Sequence, residues 1–338
     1  MKVVLTHHRR FRKAALAEAA ELLGELQAIE QPDHSVTIVE ADDGDVDRLR
    51  SAAFVQHVAP ADTRVWIDGT EADVARLRES IGPLGVGIRG RFAVQCRRGA
   101  HSGGASHADA AYSTRDIEIV LGQSIEQAGA TVDLDTPEQV VSVYLGAATA
   151  YGGVSPATGN KRPLIPQHRR YTATPDICRA EHKLHEAIEV WDLAADLGSA
   201  DVLDVGASPG GWSWVLAGHG ARVTAVDPGD LDARVEGHPL VAHVKAKGEG
   251  LEFPSDFFDW VVNDMNVDPP LAAEVLLRAR GWLRRGGRSV STLKLAGRSR
   301  PREVLADFVS LLAPGYELEA AQHFYSNRQE VTLLLRRI

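Results

Sequence analysis

The chain has 338 residues, 44% of them hydrophobic and 25% charged, with a formal net charge of −9. That length holds two or three domains with real cores, and the acidic balance excludes a uniformly basic nucleic-acid surface. Only residues 89–170 are net basic, and only slightly, so a polyanion would meet a local patch there. Two cysteines, Cys96 and Cys178, far apart and without a C-x-x-C pair, exclude a disulfide scaffold and a zinc ribbon. The first residues lack the longer apolar core of a secretory signal, and no run approaches the ~20 apolar residues of a membrane span. The expectation is a soluble cytoplasmic protein.

In chain order, Val3 to Leu5 reads as a strand. Phe11 to Leu26 reads as a helix, with apolar residues at Phe11, Ala15, Ala19, Leu22, Leu23 and Leu26. Val36–Val39 and Val65–Ile67 read as strands, and Val46–Val55 and Val74–Ile81 as helices, a small ferredoxin-like α/β unit over 1–88. The glycine-rich break from Ile81 to Gly87 ends it. A second unit over 89–155 begins with a strand at Phe92–Cys96. Then come a Gly/Ser loop, a helix capped by Ser113 or Thr114, a strand at Val140–Leu145 and a further short segment, Ala150–Val154, that closes the unit. Residues 156–175, rich in proline and base, read as a linker.

From residue 176 the chain alternates regularly between strand and helix. Seven strands are expected, at Val202–Val205, Val223–Val226, Val241–Val244, Trp260–Val262, Ser289–Leu295, Glu317–His323 and Val331–Arg336. The crossover helices are Gly211–Ala217, Leu271–Leu283 and Arg302–Leu312. This is the pattern of one open, mostly parallel, Rossmann-like sheet.

Two features of that sheet carry chemistry. The first is Asp204-Val205-Gly206-Ala207-Ser208-Pro209-Gly210-Gly211-Trp212, where a strand turns into a helix through small residues. Glycines let a ligand approach the backbone, and a new helix offers unpaired N–H groups to a carboxylate. Sixteen residues after Gly211, Asp227 ends the next strand, where an acid suits a ribose diol. Without G-x-G-x-x-G, the expected guest is not a dinucleotide but a nucleoside bearing an amino acid, S-adenosylmethionine. The second feature is a set of four charged residues: Lys183 on the first helix, Asp264 and Lys294 at strand ends, and Glu330 at the start of the last strand. A ribose hydroxyl is a poor nucleophile and profits from a base. Lys294 is the candidate base, Lys183 the cation expected to depress its pKa, Asp264 its orienting partner, and Glu330 a clamp on Lys183 or the ribose. The scheme requires no metal.

These residues resemble the FtsJ-type ribose 2′-O-methyltransferases and their Lys-Asp-Lys-Glu tetrad. The matching segments are Lys183 in Glu181-His182-Lys183-Leu184, Asp264 in Asn263-Asp264-Met265, Lys294 in Leu293-Lys294-Leu295, and Glu330 in Arg328-Gln329-Glu330-Val331. The resemblance implies a cofactor site formed by Gly206, Ser208, Pro209, Gly210, Gly211, Trp212, Asp227 and Asp264, with Glu249 where the family often has an aspartate. Cys178 stands where a serine is common. Within the family, the chain is similar to the large-subunit ribosomal RNA methyltransferase M group, in which a ferredoxin-like piece and a THUMP domain precede the methyltransferase. Val132-Asp133-Leu134-Asp135-Thr136-Pro137 and Ala150-Tyr151-Gly152-Gly153 are similar to THUMP signatures. The resemblance thus implies a structured RNA partner, ribosomal or transfer RNA, and a division into 1–88, 89–155, a linker and 176–338. It implies no membrane partner and leaves oligomeric state open.

Two rival readings remain. Asp268-Pro269-Pro270-Leu271 resembles the Asp-Pro-Pro-Tyr loop of base N-methyltransferases, which stack the target base on an aromatic ring; a helix beginning at those prolines is the simpler expectation. A non-catalytic RNA-binding or assembly factor is the other. Basic residues at His7, His8, Arg9, Arg10, Arg12 and Lys13, and at Arg89, Arg91, Arg97 and Arg98, are candidate phosphate contacts. His101 and His107 lack metal-ligand spacing.

Overall fold

The structure, a computed structural model, describes residues 1–99, 110–157, 174–247 and 251–338. The chain forms two compact units, Met1–His168 and Arg169–Ile338. His101, His107, Glu249 and most of the expected linker lie outside the described residues.

The first unit opens with β1 (Lys2–His7), α1 (Arg12–Leu23), β2 (Ala28–Asp33), β3 (Val36–Glu40), α2 (Asp43–Arg50) and β4 (Val55–Pro60). Its sheet runs β2-β3-β1-β4, all antiparallel, a βαββαβ ferredoxin-like topology. Two strands escape the sequence reading. β2 is a half-exposed edge strand carrying Pro32 and shows no apolar alternation. The helix expected through Val55 stops at Arg50, because the Glu18 carboxylate accepts the Ala53 and Phe54 N–H groups (2.6 and 2.9 Å) and turns the chain into β4.

A second sheet has the order β5-β9-β8-β6-β7, built from β5 (Thr63–Trp66), β6 (Arg91–Arg98), β7 (Thr131–Val132), β8 (Gln139–Leu145) and β9 (Thr149–Pro156). Helices α3 (Ala72–Ile81) and α4 (Thr114–Gln127) enclose a core that includes Leu77, Ile81, Phe92, Val94, Leu121 and Ile125. Ser113 caps α4 through a reciprocal box with Asp116. Since β5 and α3 belong to this sheet, the division between the sheets falls near residue 60 and not at the expected 88.

The two sheets meet through a small cluster, Val4, Val36, Ile38, Ala61, Tyr144 and Tyr151. Gly153 on β9 sits where a Cβ would lie 2.4 Å from the carbonyl oxygen of Pro60 on β4. A Cβ on Gly152 would lie 2.8 Å from both Cδ1 and Cγ1 of Ile81, itself fully buried. Gly153 therefore answers to a close backbone approach and Gly152 to a packed core side chain. Likewise, the Asp133 carboxylate accepts from Asp135 N, Thr136 N and Thr136 Oγ1, and Arg91 pairs with it at 3.4 Å. Several expected phosphate contacts are thus committed internally. Arg98 donates to Tyr112 O. His7 is buried against Thr37, and burial first of all pulls its imidazole down to about 4.

The second unit holds α5 (Glu181–Val190), α6 (Ala194–Leu197), β10 (Asp201–Val205), α7 (Gly211–Gly218), β11 (Arg222–Val226), α8 (Ala233–Glu236), β12 (Val241–Val244), β13 (Phe258–Asn263), α9 (Pro269–Ala279), β14 (Leu283–Lys294), α10 (Pro301–Leu312), β15 (Tyr316–Gln322) and β16 (Glu330–Arg337). All seven expected strands are present, in the order β12-β11-β10-β13-β14-β16-β15. The first five run parallel and β16 runs against both neighbours. The central strands are apolar on both sides, as covered parallel strands must be. One face packs Val202, Trp260, Val262 and Val290 against Leu184, Ala187 and Ile188 of α5. No described helix is long and apolar enough to cross a membrane.

Gly153→Ala should lower the urea midpoint of the N-terminal unit, by about 1–3 kcal/mol of stability. An unchanged midpoint for Gly153→Ala would contradict the close approach of β9 to β4.

Candidate active site

The carboxyl ends of β10, β11, β13 and β14 share one rim of the sheet, where open α/β folds bind ligands. Because β16 runs backwards, its first residue reaches that same rim, and Glu330 stands opposite Lys294 in the ladder. Asp264 follows the end of β13 directly. Lys183 lies on the inner face of α5, which packs over the same side of the sheet.

The four charges meet. Lys183 Nζ donates to Asp264 Oδ1 at 2.6 Å, and Lys294 Nζ donates to the same oxygen at 2.6 Å. Lys294 also donates to Glu330 Oε2 at 2.6 Å, and Lys183 lies 3.2 Å from Glu330 Oε1. Two ammoniums and two carboxylates thus form a closed, formally neutral ring, largely removed from water. A fifth group belongs to it. Thr292, fully buried two residues before Lys294, donates its hydroxyl to Asp264 Oδ1 at 2.6 Å. Its alternation with Lys294 on β14 was readable in the sequence, since residues i and i+2 share a strand face.

Burial pulls hardest on Lys294 and would make it easier to deprotonate, but Asp264 and Glu330 together more than offset this, so its pKa is raised. The expectation that Lys183 depresses Lys294 is therefore corrected: the two carboxylates dominate, and in the free protein Lys294 is an ammonium. For Glu330, burial pushes upward, and the Lys183 and Lys294 cations override it to leave its pKa lowered.

Helix α5 carries two further buried acids that the sequence reading missed. Glu181 accepts the N–H groups of Asp176, Ile177 and Cys178 (3.0, 2.6 and 2.6 Å), fixing the segment that leads into the helix. Glu186 accepts from Tyr325 N, Ser326 N and Ser326 Oγ (2.9, 2.9 and 2.7 Å), fixing the loop before β16. Their signal was present: acids at 181 and 186 share the buried face of Leu184 and Ala187, which a merely solvated helix would not allow.

The small-residue corner follows β10. Gly206 and Gly210 have φ of 78° and 108°, and a Cβ on Gly206 would lie 2.2 Å from Met265 Cγ. A Cβ on Gly211 would lie 2.6 Å from Cys178 Sγ. Asp227 ties this loop to the one after β11, accepting from Ser208 N at 3.1 Å and Gly229 N at 2.7 Å, and Ser208 Oγ donates to Asp230 O at 2.8 Å. Pro209 is exposed. The Trp212 ring lies in the core and its indole N–H donates to Ala180 O at 2.8 Å, so the side chain anchors α5. The prolines at 269 and 270 open α9, as expected, and Asp268 pairs with Arg298 at 2.8 Å.

A glycine cradle beside a helix start with no side-chain cap, and an acid after the second strand, fit an amino-acid-bearing nucleoside. Asp227 uses about two of the four acceptor positions of a carboxylate, leaving others for a diol.

Comparison with known proteins agrees with this geometry. Residues 177–278 match the FtsJ-like methyltransferase family. Three curated relatives are each named "Ribosomal RNA large subunit methyltransferase M". The one from Laribacter hongkongensis is 38% identical over 176 residues, 47% of either chain. Those from Pseudomonas putida and Shewanella frigidimarina are 30% identical over 239 residues and 28% over 238, covering 66% of both chains in the first case and 65% and 64% in the second. The matched segments span about half to two thirds of these relatives' length.

Beneath the corner, Asp204 is buried and accepts from Ser213 Oγ at 2.7 Å. Burial, helped by the nearby charges of Asp264 and Asp227 and opposed by Ser213, pushes its pKa up to about 7. An acid whose folded value lies above its unfolded value of 3.8 favours the unfolded chain increasingly as pH rises from about 4 to about 7, by an amount on the order of a few kcal/mol. Asp204→Asn should therefore raise the melting temperature at about pH 8 and have little effect near pH 4. Equal shifts at both pH values would show that Asp204 is not a raised, buried acid.

On these grounds residues 177–278 are an FtsJ-like methyltransferase domain.

Proposed function

We propose that this protein is an S-adenosylmethionine-dependent RNA methyltransferase that modifies a ribose 2′-hydroxyl, with large-subunit ribosomal RNA as its substrate. The observation that carries the reading is Asp264 bonded at once to Lys183 and Lys294, with Glu330 closing the ring. The relatives' printed name supports ribosomal over transfer RNA. We read the second sheet of the N-terminal unit as a THUMP-type RNA-binding module.

S-adenosylmethionine, when bound, supplies an electrophilic methyl group on a cationic sulfur. Gly206, Ser208, Gly210, Gly211 and Asp227 are the residues that would hold it. The remaining work falls to the tetrad: to seat a hydroxyl, align it and take its proton. Lys294 starts as an ammonium and must shed a proton before it accepts one. Any positive charge brought beside the ring eases that loss. Asp264, pinned by Lys183 and Thr292, keeps Lys294 in one place, and Glu330 holds both ammoniums from the far side. A base methyltransferase is disfavoured because Asp268-Pro269-Pro270 begins a helix and Leu271, not an aromatic residue, follows.

Transfer of labelled methyl from S-adenosylmethionine to large-subunit ribosomal RNA from cells lacking this protein, followed by nuclease digestion, should yield a 2′-O-methyl nucleoside; label on a base would overturn the reading. Lys294→Ala should cut kcat by about 10²–10⁴-fold with unchanged affinity for S-adenosylhomocysteine. Because Lys294 is held protonated, the rate should climb with pH through the range from about 7 to 9. A flat profile there would remove Lys294 as base.

A further inference from the structure

The strand order separates the rim into two sides. The glycine corner and Asp227 follow β10 and β11, whereas Asp264, Lys294 and Glu330 stand at the rim ends of β13, β14 and β16, with Lys183 reaching them from α5. The loop between β15 and β16, residues 323–329, lies on the same rim beyond the tetrad. There β15, running with β14, ends and β16, running against it, begins. A ribose hydroxyl that attacks the methyl group from the tetrad side would bring its strand to that far side.

The loop is fixed from three directions. Phe324 is buried and packs on Trp191 with ring centroids 5.0 Å apart. Asn327 Oδ1 accepts Phe324 N at 2.7 Å, while Asn327 Nδ2 donates to Thr332 Oγ1 at 3.2 Å. Glu186, 1% exposed, takes the three donors of Tyr325 and Ser326 described above, one helical turn beyond Lys183. Yet Tyr325 itself is 46% exposed, and Arg328, also exposed, stands three residues further on. A large aromatic held at the surface by a rigid backbone is pre-organised area for a flat partner.

We infer that Tyr325 is a stacking platform for a nucleobase of the single-stranded RNA segment that carries the target ribose, with Arg328 beside it for the phosphate backbone. Bases stack on aromatic side chains regardless of sequence, and a guanidinium nearby tracks the strand. Glu186 acts as a positioning residue through the loop it holds. The inference rests on the RNA reading above and adds the subsite for the neighbouring base.

The test uses the full-length protein with S-adenosylhomocysteine and a short single-stranded oligoribonucleotide containing 2-aminopurine, whose fluorescence falls on stacking, alongside methyl-transfer kinetics on large-subunit ribosomal RNA. Tyr325→Ala should abolish the quench and raise KM for RNA about tenfold or more, with kcat and S-adenosylhomocysteine affinity unchanged. Tyr325→Phe, which keeps the ring, should restore both. Wild-type KM and quenching in Tyr325→Ala, or equal defects in both variants, would overturn the inference. If the wild-type protein transfers no methyl to that RNA, the functional reading falls, and the quench alone decides Tyr325: its loss in Tyr325→Ala supports the platform and its persistence refutes it.

Discussion

One carboxylate oxygen organises the site. Asp264 Oδ1 accepts from two ammoniums and one hydroxyl, each at 2.6 Å, carried by helix α5 and strand β14. A buried ammonium is costly unless paired, and two of them placed together would repel. The second carboxylate, Glu330, closes the ring and cancels the formal charge. Such a ring is poor evidence for net stability, but taking away one member leaves an uncompensated charge. What the ring provides is geometry, since each nitrogen is held from at least two sides before any substrate arrives.

Helix α5 is the element through which this geometry is distributed. Its inner face mixes Leu184, Ala187 and Ile188 with Glu181, Lys183 and Glu186. Each charged member has a distinct partner: the chain before the helix, the ring, and the loop before β16. Trp212 braces the helix from the corner through Ala180 O. The corner, the ring and the far loop are thus tied to one short rod.

The second unit was legible because its strands are apolar runs separated by turn residues, and because polar groups sit at their ends. Asp264, Lys294 and Asp227 announce themselves as polar groups abutting apolar strands. Glu330 required knowing that β16 runs backwards, which no local pattern encodes. Thr292, Glu181 and Glu186 were passed over because a threonine in a strand and glutamates on a helix look ordinary until burial is known. Trp212, adjacent to the corner in sequence, turns its ring into the core, since neighbours on a helix start point in different directions. The N-terminal unit was harder. An exposed edge strand and a helix ended by a distant glutamate leave little trace, and the boundary between sheets was hidden because β5 crosses from one run of elements into the next.

The single turn separating Lys183 from Glu186 has a mechanical consequence. The loop before β16 is fastened, through Glu186, to the rod that also carries one of the two ammoniums. The spacing between the far loop and that ammonium is therefore set by a single pitch of helix, with no joint between the two anchor points.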